Sequence, residues 1–439
     1  MSIAHQLSIY MVNFERVIVK VLNLLQKNQN RGGCKNLVLG LIFIAGILFS
    51  GVLPSLVKPA VSQETNHMVI SSLKLPNQNK QDITEPPKNL GEALLQQVVL
   101  CVAAKFPNPR QTSVELLQAA STQCVFQVVI LAPDGSVRQD ASDRLTALVE
   151  VSGVSLPEPV SRGQANVQLK TLPDSQVFTL PVQIGGQTKT FLLDTGASSS
   201  IINAETAQQL ALPSTPIPSD ILKYIVVGDK CAEVKANLHP LPIISVDAAT
   251  VQGLNGMGLP PTSIPGNLSG VLGLDFLSNF DVVLNPKTLQ VQFLRPSIPV
   301  GGAIPLAGKL GNITAQVRIN GRGPFTFMLD TGADAIVLSK NLAERLSLNS
   351  INAQETEVFG FCGAQKAKQI KLDSVSLGQY EVNHIDSAIL NSNIFNLLGV
   401  DGIIGQSFLN KYQQHWRFGK RNAIGFIESG SLVLTPLAN

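Results

Sequence analysis

The sequence predicts a mainly β fold in which two similar lobes follow one another in the C-terminal two-thirds of the chain. The tripeptide Asp-Thr-Gly occurs twice, at residues 194–196 and 330–332, each time after an apolar run and before an alanine. Alternating polar and apolar residues with glycine-rich turns precede both tripeptides, a pattern typical of β-hairpins. Because chance rarely places one tripeptide twice in matching contexts, the repeat indicates a duplicated domain.

A second motif supports the duplication. Two glycines flank an apolar pair, and Phe-Leu follows after two intervening residues, at 270–277 and again at 402–409. The first glycine of this motif lies 76 residues after Asp194 in one copy and 72 residues after Asp330 in the other. The two aspartates are 136 residues apart, which suits a repeated domain better than a solenoid repeat.

Each copy is predicted to consist mainly of strands, with one or two short helices. In each copy the second strand of a hairpin ends at the aspartate. Asn203 and Ser339 are residue types that commonly cap the N-terminus of a helix. The predicted elements are hairpins at 182–193 and 317–329, helices at 204–211 and 340–347, and closing strand pairs with a turn at 282–294 and 416–427.

This combination of motifs resembles the retropepsin-like aspartic proteases, and more closely their bacterial branch. The similarity covers residues 173–429 and rests on the apolar pair before Asp-Thr-Gly-Ala, the helix and the later glycine motif. The resemblance implies two tandem acid-protease lobes, 173–297 and 303–429, that meet about a pseudo-dyad within one chain. It also implies that the later glycine motif forms a psi-shaped loop supporting the catalytic strand.

The resemblance makes Asp194 and Asp330 the candidate catalytic pair, one from each lobe. Hydrolysis of an amide without a covalent intermediate requires one carboxylate that deprotonates a water and one protonated carboxyl that polarises the carbonyl. Two neighbouring carboxyls that share a proton supply both states, because like charges at short distance do not both ionise readily. We therefore predict an aspartic endopeptidase that acts on a polypeptide substrate.

Six further residues are predicted to support this site. By resemblance, Thr195 and Thr331 form hydrogen bonds across the dyad and hold the two strands together. Gly196 and Gly332 permit a close approach of the backbone that a Cβ atom would obstruct. Gly273 and Gly405 belong to the later glycine motif of each lobe.

Two other interpretations fit the same motifs. The first is a catalytically inactive peptide-binding module that uses the same cleft, although both motifs retain aspartate, threonine and glycine. The second pairs lobes from two different chains. The short joint at about 296–304 favours pairing within one chain, and so a monomer.

Between the helix and the later glycine motif, each lobe is expected to contain a flap, at 224–232 in lobe 1 and 358–364 in lobe 2. Each candidate flap carries one cysteine, Cys231 or Cys362. These cysteines are compatible with buried apolar thiols, with a disulfide between the flaps, or with redox-sensitive free thiols. A disulfide between the flaps would restrict the entry of substrate.

The N-terminal region predicts export. Residues 37–57 carry no charge and are long enough to cross a bilayer. The arm at 1–36 is basic and is expected to stay in the cytoplasm, which places everything after the apolar segment in the periplasm or outside the cell. The alternative is a signal sequence that is cleaved near 60–62, which would release a secreted protein. Residues 58–88 are polar and contain prolines, as in a linker.

Residues 89–155 are predicted to form a small, separate α+β unit. Apolar residues at helical spacing begin at Leu90, and 112–115 has the pattern of a helix-capping box. Residues 124–131 are predicted to be a strand, 133–135 a turn, and 140–151 a helix or a strand. This unit matches no family that we recognise, and it is compatible with a shielding propeptide, a docking module or a spacer.

Other classes of chemistry have little support in the sequence. The five histidines show no metal-ligand spacing with cysteines or acidic residues, and there is no glycine-lysine phosphate loop. We therefore predict no metal and no cofactor. The formal net charge of +3 derives partly from the N-terminal arm, so the exported part has no basic surplus for binding nucleic acid.

The cysteines of the part expected outside the cytoplasm permit disulfides. There are four, enough for two bonds, but the sequence does not assign their pairing: Cys101, Cys124, Cys231 and Cys362.

Overall fold

The computed structural model describes residues 89–105, 120–121, 123–152, 158–217, 219–298, 302–348, 353–421 and 425–437. The predicted basic arm, apolar segment and linker (1–88) and the predicted capping box at 112–115 lie outside these residues. Within the described part, no helix combines the length and apolar character needed to cross a membrane.

The unit before the lobes is helical in its described part. It contains helix α1 (Leu90–Lys105), a π-helical segment (Phe126–Ile130) and helix α2 (Ala141–Ser152). A disulfide joins Cys101 of α1 to Cys124. The only β pairing described in this unit is an isolated bridge between Leu131 and Val137, on either side of the predicted turn.

The prediction of a strand at 124–131 was wrong, since residues 123–130 are helical. Val125 and Val129 are both fully buried, as is Ile130, with Phe126 nearly so. Burial of residues four apart is the period of a helix, whereas the β-branched residues of this run suggested a strand. A short apolar run cannot be assigned to helix or strand from periodicity alone.

Lobe 1 is built mainly from strands, with three short helices. The strands are β1 (Val160–Arg162), β2 (Ala165–Gln168), β3 (Lys170–Thr171), β4 (Phe178–Ile184), β5 (Gln187–Leu193), β6 (Ile201–Asn203), β7 (Thr215–Ile217), β8 (Ala236–Pro240), β9 (Ile244–Val246), β10 (Ala249–Gln252), β11 (Asn255–Leu259), β12 (Gly270–Leu272), β13 (Asp281–Asn285) and β14 (Gln290–Leu294). The helices are α3 (Ala204–Gln209), α4 (Ser219–Ile225) and α5 (Leu274–Leu277), with two 3-10 turns at Pro261–Ser263 and Pro265–Asn267.

Lobe 2 repeats this plan. Its strands are β15 (Ile304–Lys309), β16 (Asn312–Ile319), β17 (Arg322–Leu329), β18 (Ile336–Ser339), β19 (Gln354–Gly360), β20 (Gly363–Leu377), β21 (Tyr380–Leu390), β22 (Gly402–Ile404), β23 (Tyr412–Phe418) and β24 (Ser429–Pro436). Its helices are α6 (Lys340–Arg345), α7 (Asn393–Leu398) and α8 (Gln406–Leu409). The last strand continues beyond the predicted end of the lobe at 429, and β1 to β3 precede the predicted start of lobe 1 at 173.

The predicted helices after the two Asp-Thr-Gly motifs are present and begin where the sequence placed them. The Asn203 side chain accepts a hydrogen bond from the Thr206 backbone N–H at 2.7 Å, and Ser339 accepts one from Leu342 at 3.1 Å. These N-caps satisfy a backbone donor that has no partner within the first turn. Both helices end two residues earlier than predicted, at Gln209 and Arg345.

A shared sheet joins the two lobes. The strands form an 11-stranded sheet in lobe 1 and a 13-stranded sheet that runs from lobe 2 into the closing strands of lobe 1. The junction is the antiparallel pair β13 and β23, where Val282 lies opposite Trp416. Upstream strand β2 completes the shared sheet by pairing with β14.

The hydrophobic core is also continuous between the lobes. One cluster of buried residues contains both Phe276 and Phe293 of lobe 1 and Trp416 of lobe 2. The rings of Phe276 and Phe293 meet edge to face, with centroids 5.8 Å apart. This common core and the shared sheet fix the position of the strand that ends before Asp194 relative to the strand that ends before Asp330.

Candidate active site

Each Asp-Thr-Gly motif follows directly after a strand that is buried at its end. Strand β5 ends at Leu193 and β17 ends at Leu329, and each pairs in parallel with the strand of the later glycine motif in its own lobe, β12 or β22. The pairing continues into the motif, since the Asp194 N–H donates to the Leu272 carbonyl at 3.1 Å and the Asp330 N–H to the Ile404 carbonyl at 2.9 Å. The later motif therefore supports the strand end that carries each aspartate.

The second glycine of that later motif lies where a side chain would collide with the loop that follows Asp-Thr-Gly. A Cβ atom on Gly273 would lie 2.8 Å from the Ala197 carbonyl oxygen, and one on Gly405 would lie 2.6 Å from that of Ala333. Both contacts are with backbone, which cannot move aside without displacing the aspartate. The structure thus brings Gly273 and Gly405 against the loops that they were predicted to support.

The two threonines form a symmetric set of hydrogen bonds between the lobes. The Thr195 hydroxyl donates to the Leu329 carbonyl at 2.9 Å and accepts from the Thr331 N–H at 3.0 Å. The Thr331 hydroxyl donates to the Leu193 carbonyl at 3.1 Å and accepts from the Thr195 N–H at 2.9 Å. All four bonds are buried and lie within one chain, so they hold the two Asp-Thr-Gly loops at a fixed separation.

The two glycines of the motifs each face the carboxyl group of the opposite lobe. A Cβ atom on Gly196 would lie 2.3 Å from Cγ of Asp330, and one on Gly332 would lie 2.4 Å from Cγ of Asp194. Any side chain at these positions would occupy the space of the Asp330 or Asp194 carboxyl. The two carboxyl groups consequently approach each other across the pseudo-dyad.

Backbone donors hold each carboxyl in place. Asp194 Oδ1 accepts hydrogen bonds from the N–H groups of Gly196 at 2.7 Å and Ala197 at 3.2 Å. Asp330 Oδ1 accepts one from the Gly332 N–H at 2.8 Å. These bonds favour the ionised form of each carboxyl and fix which oxygen atoms point into the site.

Burial works against ionisation of the pair. Asp194 is only 5% exposed, and this burial raises the pKa of its carboxyl. Hydrogen bonds from Asp330 and from the backbone oppose that rise. The pKa of Asp330 is raised well above its usual range by burial, by the charge of Asp194 and by their mutual hydrogen bond. The pair therefore retains a proton at a pH at which two isolated carboxyls would both be ionised.

Comparison with known proteins identifies the fold of both lobes. The family described as gag-polyprotein putative aspartyl protease matches residues 180–279 and again 315–411. Both lobes are retropepsin-like. Their two matched regions contain the two Asp-Thr-Gly motifs and the two later glycine motifs, in agreement with the duplication inferred from the sequence.

A solved structure and the curated proteins give less information. The crystal structure of a retropepsin-like aspartic protease from Rickettsia conorii is similar at 24% sequence identity, over 30% of this chain and 90% of that chain, with a TM-score of 0.23. No curated protein shows a significant match.

Among the described residues, no group of three or more histidine, cysteine, aspartate or glutamate side chains is arranged to hold a metal ion.

The two retropepsin-like lobes differ in their flaps. Lobe 2 has a hairpin of β19 and β20 that turns at Phe361 and Cys362, within the predicted segment 358–364. In lobe 1 the predicted flap at 224–232 is not a hairpin but the end of helix α4 followed by turns. Ile221, Leu222 and Ile225 have the spacing of a buried helix face, which explains the helix.

The two flap segments are joined at what we call the flap junction, residues 227–231 of lobe 1 and 360–364 of lobe 2. A disulfide links Cys231 to Cys362. On either side of it, the Lys230 N–H donates to the Cys362 carbonyl at 2.9 Å and the Cys362 N–H donates to the Val227 carbonyl at 3.0 Å. Of the three sequence interpretations of these cysteines, the structure adopts the disulfide.

The flap junction shares hydrophobic clusters with residues next to both Asp-Thr-Gly motifs. Ala197, next to the first motif, packs against the hydrophobic cluster that contains Cys231 and Cys362. Ala333, next to the second motif, packs against a cluster that Val227 of the junction also contacts. The helical unit contacts helix α4, which precedes the junction in lobe 1, since the rings of Phe126 and Tyr224 lie 5.5 Å apart.

Sequence reasoning missed a buried acid in the later glycine motif of lobe 1. Asp275 Oδ1 accepts hydrogen bonds from the backbone N–H and the hydroxyl of Ser200, at 2.9 Å and 2.7 Å. Its other oxygen is enclosed and has no hydrogen-bond partner among the described residues. Burial raises the pKa of Asp275 to about 6, against the opposing effects of the Ser200 bonds and the charge of Arg421.

Asp275 is expected to make the stability of the protein fall with rising pH. A pKa of about 6 in the folded state, above the 3.8 of a free carboxyl, means that the stabilising contribution is complete below pH 3.8 and is lost as the pH rises through 6. This loss is absent in Asp275→Asn. The free energy of unfolding of the variant should therefore exceed that of the parent by an amount that grows to about 3 kcal/mol by pH 7. Denaturant unfolding from pH 4 to 7 measures the difference, with the exposed Asp386→Asn as control. Parallel pH curves for the parent and Asp275→Asn would refute this assignment.

Proposed function

We propose that the protein is an aspartic endopeptidase that hydrolyses peptide bonds with a water held between Asp194 and Asp330. The observation that carries this proposal is the pairing of the carboxyls. Each lies against the glycine of the opposite motif, and burial raises both pKa values so that the pair retains a proton. A pair with one proton provides a base and an acid at the same place.

In the proposed reaction, the ionised carboxyl removes a proton from the water while the water oxygen attacks the scissile carbonyl carbon. The protonated carboxyl gives its proton to the carbonyl oxygen, which produces a tetrahedral diol. The first carboxyl then transfers its proton to the amide nitrogen as the C–N bond breaks, and the second removes a proton from one hydroxyl. This sequence returns the pair to its starting protonation state, so the enzyme is unchanged after each turnover.

The mechanism requires the pair to hold one proton, and this sets the shape of the pH dependence. Activity should decline when the pH falls far enough to protonate both carboxyls and when it rises far enough to ionise both. Because burial raises both pKa values, the active range is displaced upwards from that of two exposed carboxyls.

We also propose that one chain forms the complete site and that it works outside the cytoplasm. The four threonine bonds between the lobes, all within one chain, support a monomer. The uncharged segment 37–57 after a basic arm supports an N-terminal membrane anchor, with periplasmic or extracellular lobes. The two disulfides support the same location, because such bonds persist in oxidising compartments.

A pair of uncleavable peptides distinguishes this proposal from a catalytically inactive peptide-binding module. One peptide carries a secondary alcohol in place of the scissile amide and so resembles the tetrahedral diol, and the other carries a methylene at that position. A protease should bind the alcohol on the order of a hundredfold more tightly or better, since its site is complementary to the transition state. Equal affinities, measured by calorimetry on the full-length protein, would favour the binding module.

A further inference from the structure

The later glycine motifs of the two lobes differ at the residue that follows their second glycine. Lobe 1 has Leu274 there and lobe 2 has Gln406, and both side chains are almost completely buried. The backbones are equivalent: the Leu274 N–H donates to the Ala197 carbonyl and the Gln406 N–H to the Ala333 carbonyl, each at 2.8 Å. The two side chains therefore start from the same place relative to their catalytic loops, but only Gln406 carries a donor.

That donor reaches the catalytic loop of lobe 2. The Gln406 side-chain amide donates a buried hydrogen bond to the Thr331 carbonyl at 2.9 Å. The Thr331 carbonyl and the Gly332 N–H belong to the same peptide group, and that N–H donates to Asp330 Oδ1 at 2.8 Å. Two hydrogen bonds in series thus connect Gln406 to one catalytic carboxyl.

Hydrogen bonds in series strengthen one another. A donor at the carbonyl end of a peptide group increases its polarisation and makes its N–H a better donor, by roughly 10–30% per bond. The side-chain amide also resists rotation of the Thr331–Gly332 peptide plane away from the carboxyl. In lobe 1, Leu274 can supply neither effect to the Thr195–Gly196 peptide.

We propose that Gln406 is a positioning residue that strengthens the backbone hydrogen bond to the Asp330 carboxylate through the Thr331–Gly332 peptide, and so makes the two halves of the dyad unequal. The inference rests on the proposed function for its catalytic meaning. The bond chain itself is independent of turnover, because it acts on the affinity of the dyad for protons.

The test replaces Gln406 with methionine, which has a similar shape and no donor. The full-length protein, labelled with ¹³C at the aspartate carboxyl carbons, is titrated by NMR, with Asp194→Asn and Asp330→Asn to assign the dyad signals. Loss of the donor weakens stabilisation of the Asp330 carboxylate, so the sum of the two apparent pKa values of the dyad should rise. We expect a rise corresponding to about a threefold increase in proton affinity.

A matched control is available in the shared sheet. Gln414 is equally buried, and its side chain accepts a hydrogen bond from the Trp416 indole at 3.2 Å and contacts no catalytic loop in any hydrogen bond described. Gln414→Met should leave the dyad titration unchanged. An unchanged or lower sum in Gln406→Met, or an equal rise in Gln414→Met, would overturn the inference. If Gln406→Met does not fold, Gln406→Leu installs the residue that lobe 1 accommodates at this place, and the same outcomes apply.

The two proposals can fail separately. A raised sum of pKa values in Gln406→Met, together with absence of peptide cleavage by the parent, would support the role of Gln406 and contradict the protease. Cleavage by the parent with an unchanged dyad titration in Gln406→Met would do the reverse.

Discussion

Replacing either Asp194 or Asp330 with asparagine is expected to reduce peptide cleavage by a factor on the order of a thousand or more, because each variant removes one of the two groups that transfer protons. The two losses should not add in the double variant, since the carboxyls act as one unit. Cleavage of a quenched fluorescent peptide measures the rates. Asp386→Asn, an exposed substitution on β21, serves as the control and should retain parental activity.

The fold should survive these substitutions. Asparagine has nearly the same shape as aspartate, and burial already disfavours the charge of both carboxyls. Because both folded-state pKa values are raised, the parent loses stability from these groups as the pH rises, and the neutral variants avoid that loss. Retention of full activity by either variant would show that the two aspartates do not form one catalytic unit.

Releasing the flap junction is expected to produce the second large effect. The Cys231–Cys362 disulfide ties the two flap segments together, and the two cysteines are only 2% and 1% exposed. The disulfide limits how far the two flap segments can separate to admit a substrate chain. The observed affinity for a substrate falls with the fraction of protein that is open. We therefore expect kcat/KM for a protein substrate to rise on the order of tenfold in the Cys231→Ser/Cys362→Ser double variant.

The second disulfide provides the matched control for this experiment. Cys101 and Cys124 are both in the helical unit, so the Cys101→Ser/Cys124→Ser double variant should leave kcat/KM close to that of the parent. Dithiothreitol should activate the parent by reducing the junction to two thiols, and it should have no further effect on Cys231→Ser/Cys362→Ser. Equal rates for the parent and the junction variant, with the bond shown intact in the parent by mass spectrometry, would show that the junction does not limit entry.

The parts of the site that follow from local chemistry could be predicted from the sequence. Each aspartate follows a buried strand, and each N-cap, Asn203 or Ser339, is a polar residue placed directly before a helix. Gly196 and Gly332 were assigned a close approach because only glycine lacks the Cβ, and the structure places a carboxyl group there. Such features depend on a few neighbouring residues, and the duplication showed each of them twice.

The features that the sequence did not predict depend on contacts between distant residues. Cys231 and Cys362 are 131 residues apart, and their pairing depends on where both flap segments lie. Asp275 and Gln406 act through hydrogen bonds to loops about 75 residues away, which no local pattern shows. The prediction of a strand at 124–131 was wrong for another reason. The apolar residues of this run are buried with a helical period, and tertiary packing selects that period.

The lobe 1 flap shows how a duplicated sequence can still differ in structure. Both copies were expected to carry comparable flaps, because their motifs on either side correspond. In lobe 2 a long hairpin formed by β19 and β20 occupies this place, whereas lobe 1 has helix α4 and turns. Gly228 of lobe 1 adopts a φ of 134° and lies where a Cβ atom would be 2.4 Å from the Cys362 backbone carbon. The two lobes therefore approach each other closely at this glycine, which leaves no room for a side chain there.

Peptide cleavage by the full-length protein tests the central claim most directly. A peptide library would be incubated from pH 3 to 8 with the parent, the parent in dithiothreitol and the Cys231→Ser/Cys362→Ser variant, with Asp330→Asn in the same junction background as the blank. We predict cleavage that rises and falls across this range, is fastest once the junction is released and is absent in the blank. Absence of cleavage at every pH in all three folded preparations, or equal cleavage in the blank, would contradict the account.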